Sequence, residues 1–162
     1  MIGRRKFLIG LAALYAAATR AQAPERAGKP VRVGILATTT QVKNQINEKP
    51  FFETMRELGW AEGRNIVYDR VYADDDEARL PVLAAALVAR GPNLIYTPDA
   101  PPALAAFAKT RTIPIVFGAV NYPVDQGLVK SLAHPGGNVT GIANIGPELG
   151  SKRLQQIGRA HV

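Results

Sequence analysis

From Val31 onward, short β-branched and apolar runs alternate with longer stretches whose apolar residues recur at helical spacing. This alternation constrains the fold more than any other feature of the chain. Strands separated by helices pair in parallel, because each helix carries the chain back along the sheet before the next strand begins. The first run, Val31 to Ala37 (VRVGILA), reads as a strand buried on both faces. Asn65 to Tyr72 (NIVYDRVY) alternates instead, which predicts an edge or half-exposed strand. Further strands are predicted over Asn93 to Tyr96, Ile113 to Phe117 and Asn138 to Ala143. Helices are predicted over Lys49 to Leu58, with Pro50 in the first turn and Gly59 at the C-cap. Others are predicted from the acidic run at 74–77 to Gly91, over Pro101 to Lys109, over Val124 to Leu132 and over Glu148 to Gln156. The expected fold class is α/β: a Rossmann-like parallel sheet flanked by helices.

The two ends read differently. Residues 1–23 carry Arg4, Arg5 and Lys6 ahead of an apolar run of 12 residues, Phe7 to Ala18. That run is too short to span a bilayer as a helix and fits a secretory signal peptide. Arg4-Arg5-Lys6-Phe7-Leu8 resembles the twin-arginine export motif. Ala21-Gln22-Ala23 offers a small-x-small cleavage site, although Pro24 directly after it is unfavourable. At the other end, residues 157–162 complete no element and read as a non-native tail.

Charge and cysteine content exclude several function classes. The chain of 162 residues carries a net charge of +7. Residues 24–156 hold 15 basic and 13 acidic side chains, so the excess sits mostly in the leader. A body so mixed has no basic stripe to follow a phosphate backbone, and no nucleic-acid partner is expected. With no cysteine, a disulfide scaffold, a zinc–thiolate site, a cysteine nucleophile and a lipidated N-terminal cysteine are all excluded. The acidic run at 74–77 reads as a helix cap rather than a metal site.

Several segments then resemble one family. Leu58-Gly59-Trp60-x-Glu62-Gly63-Arg64-Asn65-Ile66 is similar to a signature of ABC-transporter substrate-binding proteins of the tryptophan- and tyrosine-receptor type. Arg79-Leu80-Pro81-x-Leu83-Ala84 and Ile113-Pro114-Ile115-Val116-Phe117 match further pieces. The longest match runs from Asp125 through Gly127-Leu128-Val129 and Pro135-Gly136-Gly137-Asn138-Val139-Thr140 to Gly141. Lys152-Arg153-Leu154 matches the start of a later helix. The resemblance implies a periplasmic-binding fold of two lobes with a ligand cleft between them. Residues 24–137 would form the first lobe and 138–156 the crossover strand and helix. It further implies an exported, periplasmic receptor, monomeric at full length, that captures a small polar molecule and hands it to an ABC permease. No enzymatic activity, cofactor or metal is expected. A half-cleft encloses no ligand, so tight binding by this stretch alone is not expected.

Ligands of open parallel sheets sit beyond the carboxyl ends of the strands. The candidate ligand contacts are therefore Thr38 and Thr39, Thr97 and Asp99, Ala119, Asn121 and Tyr122, and Asn144. Short polar side chains and amides suit a small zwitterion. The helix starting at Pro101 would offer its N-terminus to a carboxylate, whereas Asp99 favours an amine. Tyr122 would stack on an aromatic ligand. A dinucleotide enzyme is the first rival, but the turn after the first strand is Thr38-Thr39-Thr40, with no GxGxxG. A receiver or flavodoxin-like module lacks the acidic pair by the first strand. A serine hydrolase lacks GxSxG. A ligand-sensing domain of a signalling protein is not distinguished by these residues.

Overall fold

A computed structural model describes residues 29–144 of the chain. The leader, the helix expected at Glu148 to Gln156 and the tail lie outside the described residues. Five strands form one sheet: β1 (Val31–Ala37), β2 (Ile66–Tyr72), β3 (Leu94–Thr97), β4 (Ile115–Asn121) and β5 (Val139–Asn144). Their order is β2-β1-β3-β4-β5 and every pair is parallel. The alternating strand, β2, lies at an edge, as its pattern predicts.

Helices α1 (Gln41–Glu57), α2 (Leu80–Ala89) and α3 (Ala100–Lys109) cover the sheet. A 3₁₀ turn over Glu77–Arg79 leads into α2 and is capped by Asp76, whose carboxylate accepts from the Ala78 amide at 3.0 Å. The acidic run thus supplies the cap its position predicts.

On one face α2 and α3 pack against Leu36, Ile95, Ile115, Phe117 and Val139. On the other, Phe51, Phe52 and Met55 of α1 pack against Val33, Ile35, Ile66 and Tyr68. Phe51 stacks on Tyr96 with ring centroids 4.9 Å apart, and Phe52 meets Tyr68 edge-on at 4.8 Å. Ile35, Leu36, Ile95 and Ile115 are fully buried. Each contributes about 1.5–3 kcal/mol of transfer free energy, so the centre of the sheet carries the stability.

Two expected helices come out differently. α1 begins at Gln41, and Pro50 lies inside it rather than in its first turn. Thr40 is the N-cap, its hydroxyl accepting from the Lys43 amide at 3.4 Å. The first turns of α1 carry no apolar stripe because their inward face is polar: Asn44 and Glu48 are buried and bonded to each other.

The helix expected over Val124 to Leu132 is a set of turns instead. The amides of Leu128 and Val129 both donate to the Pro123 carbonyl, and Gly127 takes a φ of 72°, which ends any helical path. Leu128 and Val129 are both buried. Past these turns, Asn138 donates its side-chain amide to the Ile113 carbonyl at 2.7 Å and to the Thr110 carbonyl at 3.4 Å, fixing the entry to β5.

Candidate ligand-binding site

Because all five strands are parallel, their carboxyl ends share one edge of the sheet. Thr38 and Thr39 follow β1 directly. Thr97 is the last residue of β3 rather than the first beyond it. Asp99 stands at the N-cap of α3. β4 runs on to Asn121, past the expected end at Phe117, so Ala119 and Asn121 belong to the strand and Tyr122 follows it. Asn144 closes β5 and pairs with Asn121 across the ladder. All eight candidates therefore lie along the same edge.

They fall into two groups. At the β1 and β3 end, Thr38 Oγ1, Thr97 Oγ1 and one carboxylate oxygen of Asp99 are enclosed and have no hydrogen-bond partner among the described residues. Buried polar atoms in folded proteins are almost always paired. These three share one strand end and could each take a donor, while the Tyr68 hydroxyl and one Asp69 oxygen on β2 are likewise enclosed without a hydrogen-bond partner. At the β4 and β5 end, a cavity of about 110 Å³ is lined by Tyr122, Pro123, Leu132, Ala143 and Asn144. Tyr122 is 39% exposed and held at a φ of 51°, an uncommon conformation for a tyrosine.

Other candidates are engaged within the protein. Thr39 donates to the Asn44 side chain at 3.4 Å, so it serves the start of α1. The Ala119 amide donates to the Pro98 carbonyl at 3.0 Å, which ties β4 to the β3 loop and leaves that N–H unavailable to a ligand. The Asn121 carbonyl accepts from the Gln126 side chain at 2.8 Å, while its own side chain is exposed.

Glu48 was not among the expected site residues, yet it anchors a buried polar cluster on the α1 side. It accepts from Asn44, and from the Tyr72 hydroxyl at 3.4 Å. Burial pushes its carboxyl above the ordinary value of 4.5, against the pull of Arg70 and of the bonds from Tyr72 and Asn44. The signal was present in the sequence: Asn44 and Glu48 are four residues apart and continue the stripe of Phe51, Phe52 and Met55.

A raised folded-state value means that the fold binds this proton more tightly than the unfolded chain does. The stability is then present at low pH and lost as pH rises above the ordinary carboxylate range. Glu48→Gln is accordingly expected to raise the melting temperature at pH 7 and to gain less at pH 4. Thermal melts at the two pH values check this; an equal or larger gain at pH 4 contradicts it.

A larger cavity, of about 700 Å³, lies between α1 and β2, lined by Phe52, Trp60, Tyr68 and Arg70 among others. Arg70 there is bound in a fork by Glu62 at 2.6 and 2.9 Å and lies 4.6 Å over the Phe52 ring. That pairing holds the Glu62 carboxyl below its ordinary value. The cavity lies along the flank of the edge strand β2; Arg70 and Glu62 are spent on one another, whereas the Tyr68 hydroxyl is enclosed without a hydrogen-bond partner among the described residues.

Known proteins show the same architecture. The sequence model of the ABC transporter substrate binding protein family matches residues 32–149. The chain belongs to that family. A tyrosine-binding protein of Clostridioides difficile is 39% identical over 97 residues, covering 60% of this chain and 28% of that protein. Among solved structures, a conserved domain protein of Vibrio cholerae superposes with a TM-score of 0.70 at 30% identity, covering 79% of this chain and 43% of that one. A domain from Streptococcus pneumoniae in complex with L-Trp gives a TM-score of 0.65 at 25% identity, over 71% of this chain and 39% of that one. The ligand-free, open form of a substrate-binding protein with adhesive properties from Clostridium difficile gives 0.65 at 32% identity, over 70% and 39%. The chain spans less than half the length of each of these relatives. Family members are binding proteins rather than enzymes. Among the described residues of this family member, no group of His, Cys, Asp and Glu is arranged to hold a metal ion, and no helix is long and apolar enough to cross a membrane.

Proposed function

We propose that this chain is the first lobe of an extracytoplasmic receptor of an ABC importer, and that it captures an aromatic amino acid without covalent chemistry. The observation that carries this reading is that three of the five enclosed side-chain atoms without a hydrogen-bond partner among the described residues lie at the carboxyl edge of a parallel sheet, in a member of a substrate-binding family. Residues 24–137 form the lobe and 138–156 lead toward a second one, with the ligand between them. Residues 1–23 direct export to the periplasm, and a membrane permease receives the ligand. Thr38, Thr97 and Asp99 bind its polar end. Tyr122, with Asn121 and Asn144 beside it, meets its apolar part, while Thr39 and Ala119 hold the surrounding backbone.

The aromatic preference rests on Tyr122, which stands exposed beside a small cavity, and on similarity to proteins described as binding tyrosine or crystallised with tryptophan. An NMR titration that reads weak affinities tests it. L-tyrosine and L-tryptophan are expected to bind, and glucose and inorganic phosphate to have no effect. Tyr122→Ala is expected to weaken tyrosine binding by up to about tenfold, the scale of one lost aromatic contact. Binding of the sugar or of phosphate in place of the amino acids, or an unchanged affinity in Tyr122→Ala, would count against the reading.

A further inference from the structure

We infer that this lobe recognises the positively charged end of the ligand: Asp99, with Thr38 and Thr97 beside it, forms an ammonium site, and the ligand's anionic end is held elsewhere. The inference rests on the receptor reading above and states which half of the ligand this wall takes.

The first support is the set of acceptors itself. Ile35 pairs with Tyr96 across β1 and β3, so Leu36 lies level with Thr97, and Thr38 and Asp99 follow at the same end. Thr97 is fully buried, and its hydroxyl, the Thr38 hydroxyl and one Asp99 oxygen lack partners among the described residues. An enclosed carboxylate oxygen with no donor is costly. A cation docking on the half-exposed side of Asp99 compensates it.

The second support is the start of α3. A helix N-terminus attracts anions through its free amides. Here the first turn reads Ala100-Pro101-Pro102, and proline has no N–H. Two of the amides that would grip a carboxylate are missing. Asp99 occupies the cap position yet makes no capping bond with its side chain, so its carboxylate is not spent on the helix.

The third support is the local charge. Asp74, Asp75, Asp76, Glu77 and Asp99 cluster at this end of the sheet. The cations among them are taken: Lys43 pairs with Asp75 and Arg79 with Asp74, each at 2.6 Å. A chain with a net charge of +7 therefore presents an acidic rim where its ligand is expected. Burial and the nearby Glu77 push the Asp99 carboxyl above its ordinary value. By the sign argued for Glu48, ionised Asp99 lowers the stability of the unliganded fold at neutral pH.

Amide-resolved NMR titration of the chain with three probes separates the outcomes: tyramine, which keeps the amine alone; 3-(4-hydroxyphenyl)propanoate, which keeps the carboxylate alone; and L-tyrosine. Tyramine and tyrosine are expected to shift the amides of Thr38, Thr97 and Asp99, and the propanoate to leave them in place. Asp99→Asn is expected to weaken tyramine binding by about tenfold or more, the scale of a lost charged hydrogen bond, while melting no lower than the parent at pH 7. Thr38→Val is expected to weaken it by a smaller factor, with the carboxylate intact. If the propanoate shifts these amides as strongly as tyramine, or if Asp99→Asn binds tyramine as the parent does, the ammonium assignment is overturned. Tyrosine binding at the edge would then still support the receptor reading. If tyrosine moves no amide on this edge, the receptor reading fails and the inference with it.

Discussion

Replacing Gly141 with alanine is expected to unfasten β5 from the sheet. Gly141 pairs with Phe117 across β4 and β5, and a Cβ at this position would fall inside the Phe117 carbonyl oxygen and ring, well under the 3.0 Å that real Cβ atoms respect. The obstruction is partly backbone, so no rotamer change relieves it. The ladder is already irregular just beyond, where the register shifts between Phe117 and Val120, which leaves little room for adjustment. Overpacking in a core costs about 1–3 kcal/mol and occasionally more; a clash with a strand carbonyl belongs at the upper end, about 3 kcal/mol. Urea unfolding of Gly141→Ala checks this through the transition midpoint. A midpoint equal to the parent's would mean that β5 does not approach β4 as closely as described.

Leu87→Ala is expected to destabilise by about 3 kcal/mol, within the usual range of about 2–5 for a buried leucine. Leu87 is fully buried at the centre of the α2 contact with the sheet. Its side chain fills the space above Gly34, with three of its carbons 3.0 Å from where a Cβ on residue 34 would lie. The two positions are therefore coupled. Gly34→Ala alone crowds Leu87 and is expected to cost about 1 kcal/mol. In the Leu87→Ala background the same change puts a methyl into the cavity and is expected to recover part of the loss. A double-mutant cycle by chemical denaturation reads the coupling directly. Additive effects of the two changes would contradict the packing.

The strands were legible because their signal is local. Five apolar runs, each close to turn residues, gave five strands in the right places, and the alternation of β2 gave its edge position. Parallel pairing followed from the intervening helices alone. The extent of α1 was not legible from hydrophobic spacing, because its first turns bury Asn44 and Glu48 instead of apolar side chains. Nor was the loss of the helix after β4, where Pro123 and Gly127 outweigh a run that otherwise reads as amphipathic.

The edge proposed to carry the site could be named from topology, and all eight candidates lie on it. What spacing could not give is which polar atoms are already spent. Thr38 and Thr39 are neighbours in sequence, yet Thr38 Oγ1 has no hydrogen-bond partner among the described residues and Thr39 bonds Asn44. The Ala119 amide looked available until β4 proved long enough to bring it to Pro98. Such distinctions depend on which face of a strand end each side chain takes, and a shift of one residue reverses them. The glycine that ends the long family signature, Gly141, gains a physical reason only from the structure: nothing larger fits against Phe117.

Ligand is expected to bind at the carboxyl ends of the strands and not in the larger cavity between α1 and β2. Mapping the amide shifts caused by L-tyrosine along the assigned backbone tests it most directly. The largest shifts are expected on Thr38, Thr97, Asp99, Asn121 and Asn144, with Phe52, Trp60 and Arg70 unmoved. Shifts concentrated on Phe52, Trp60 and Arg70, with the strand ends silent, would contradict it.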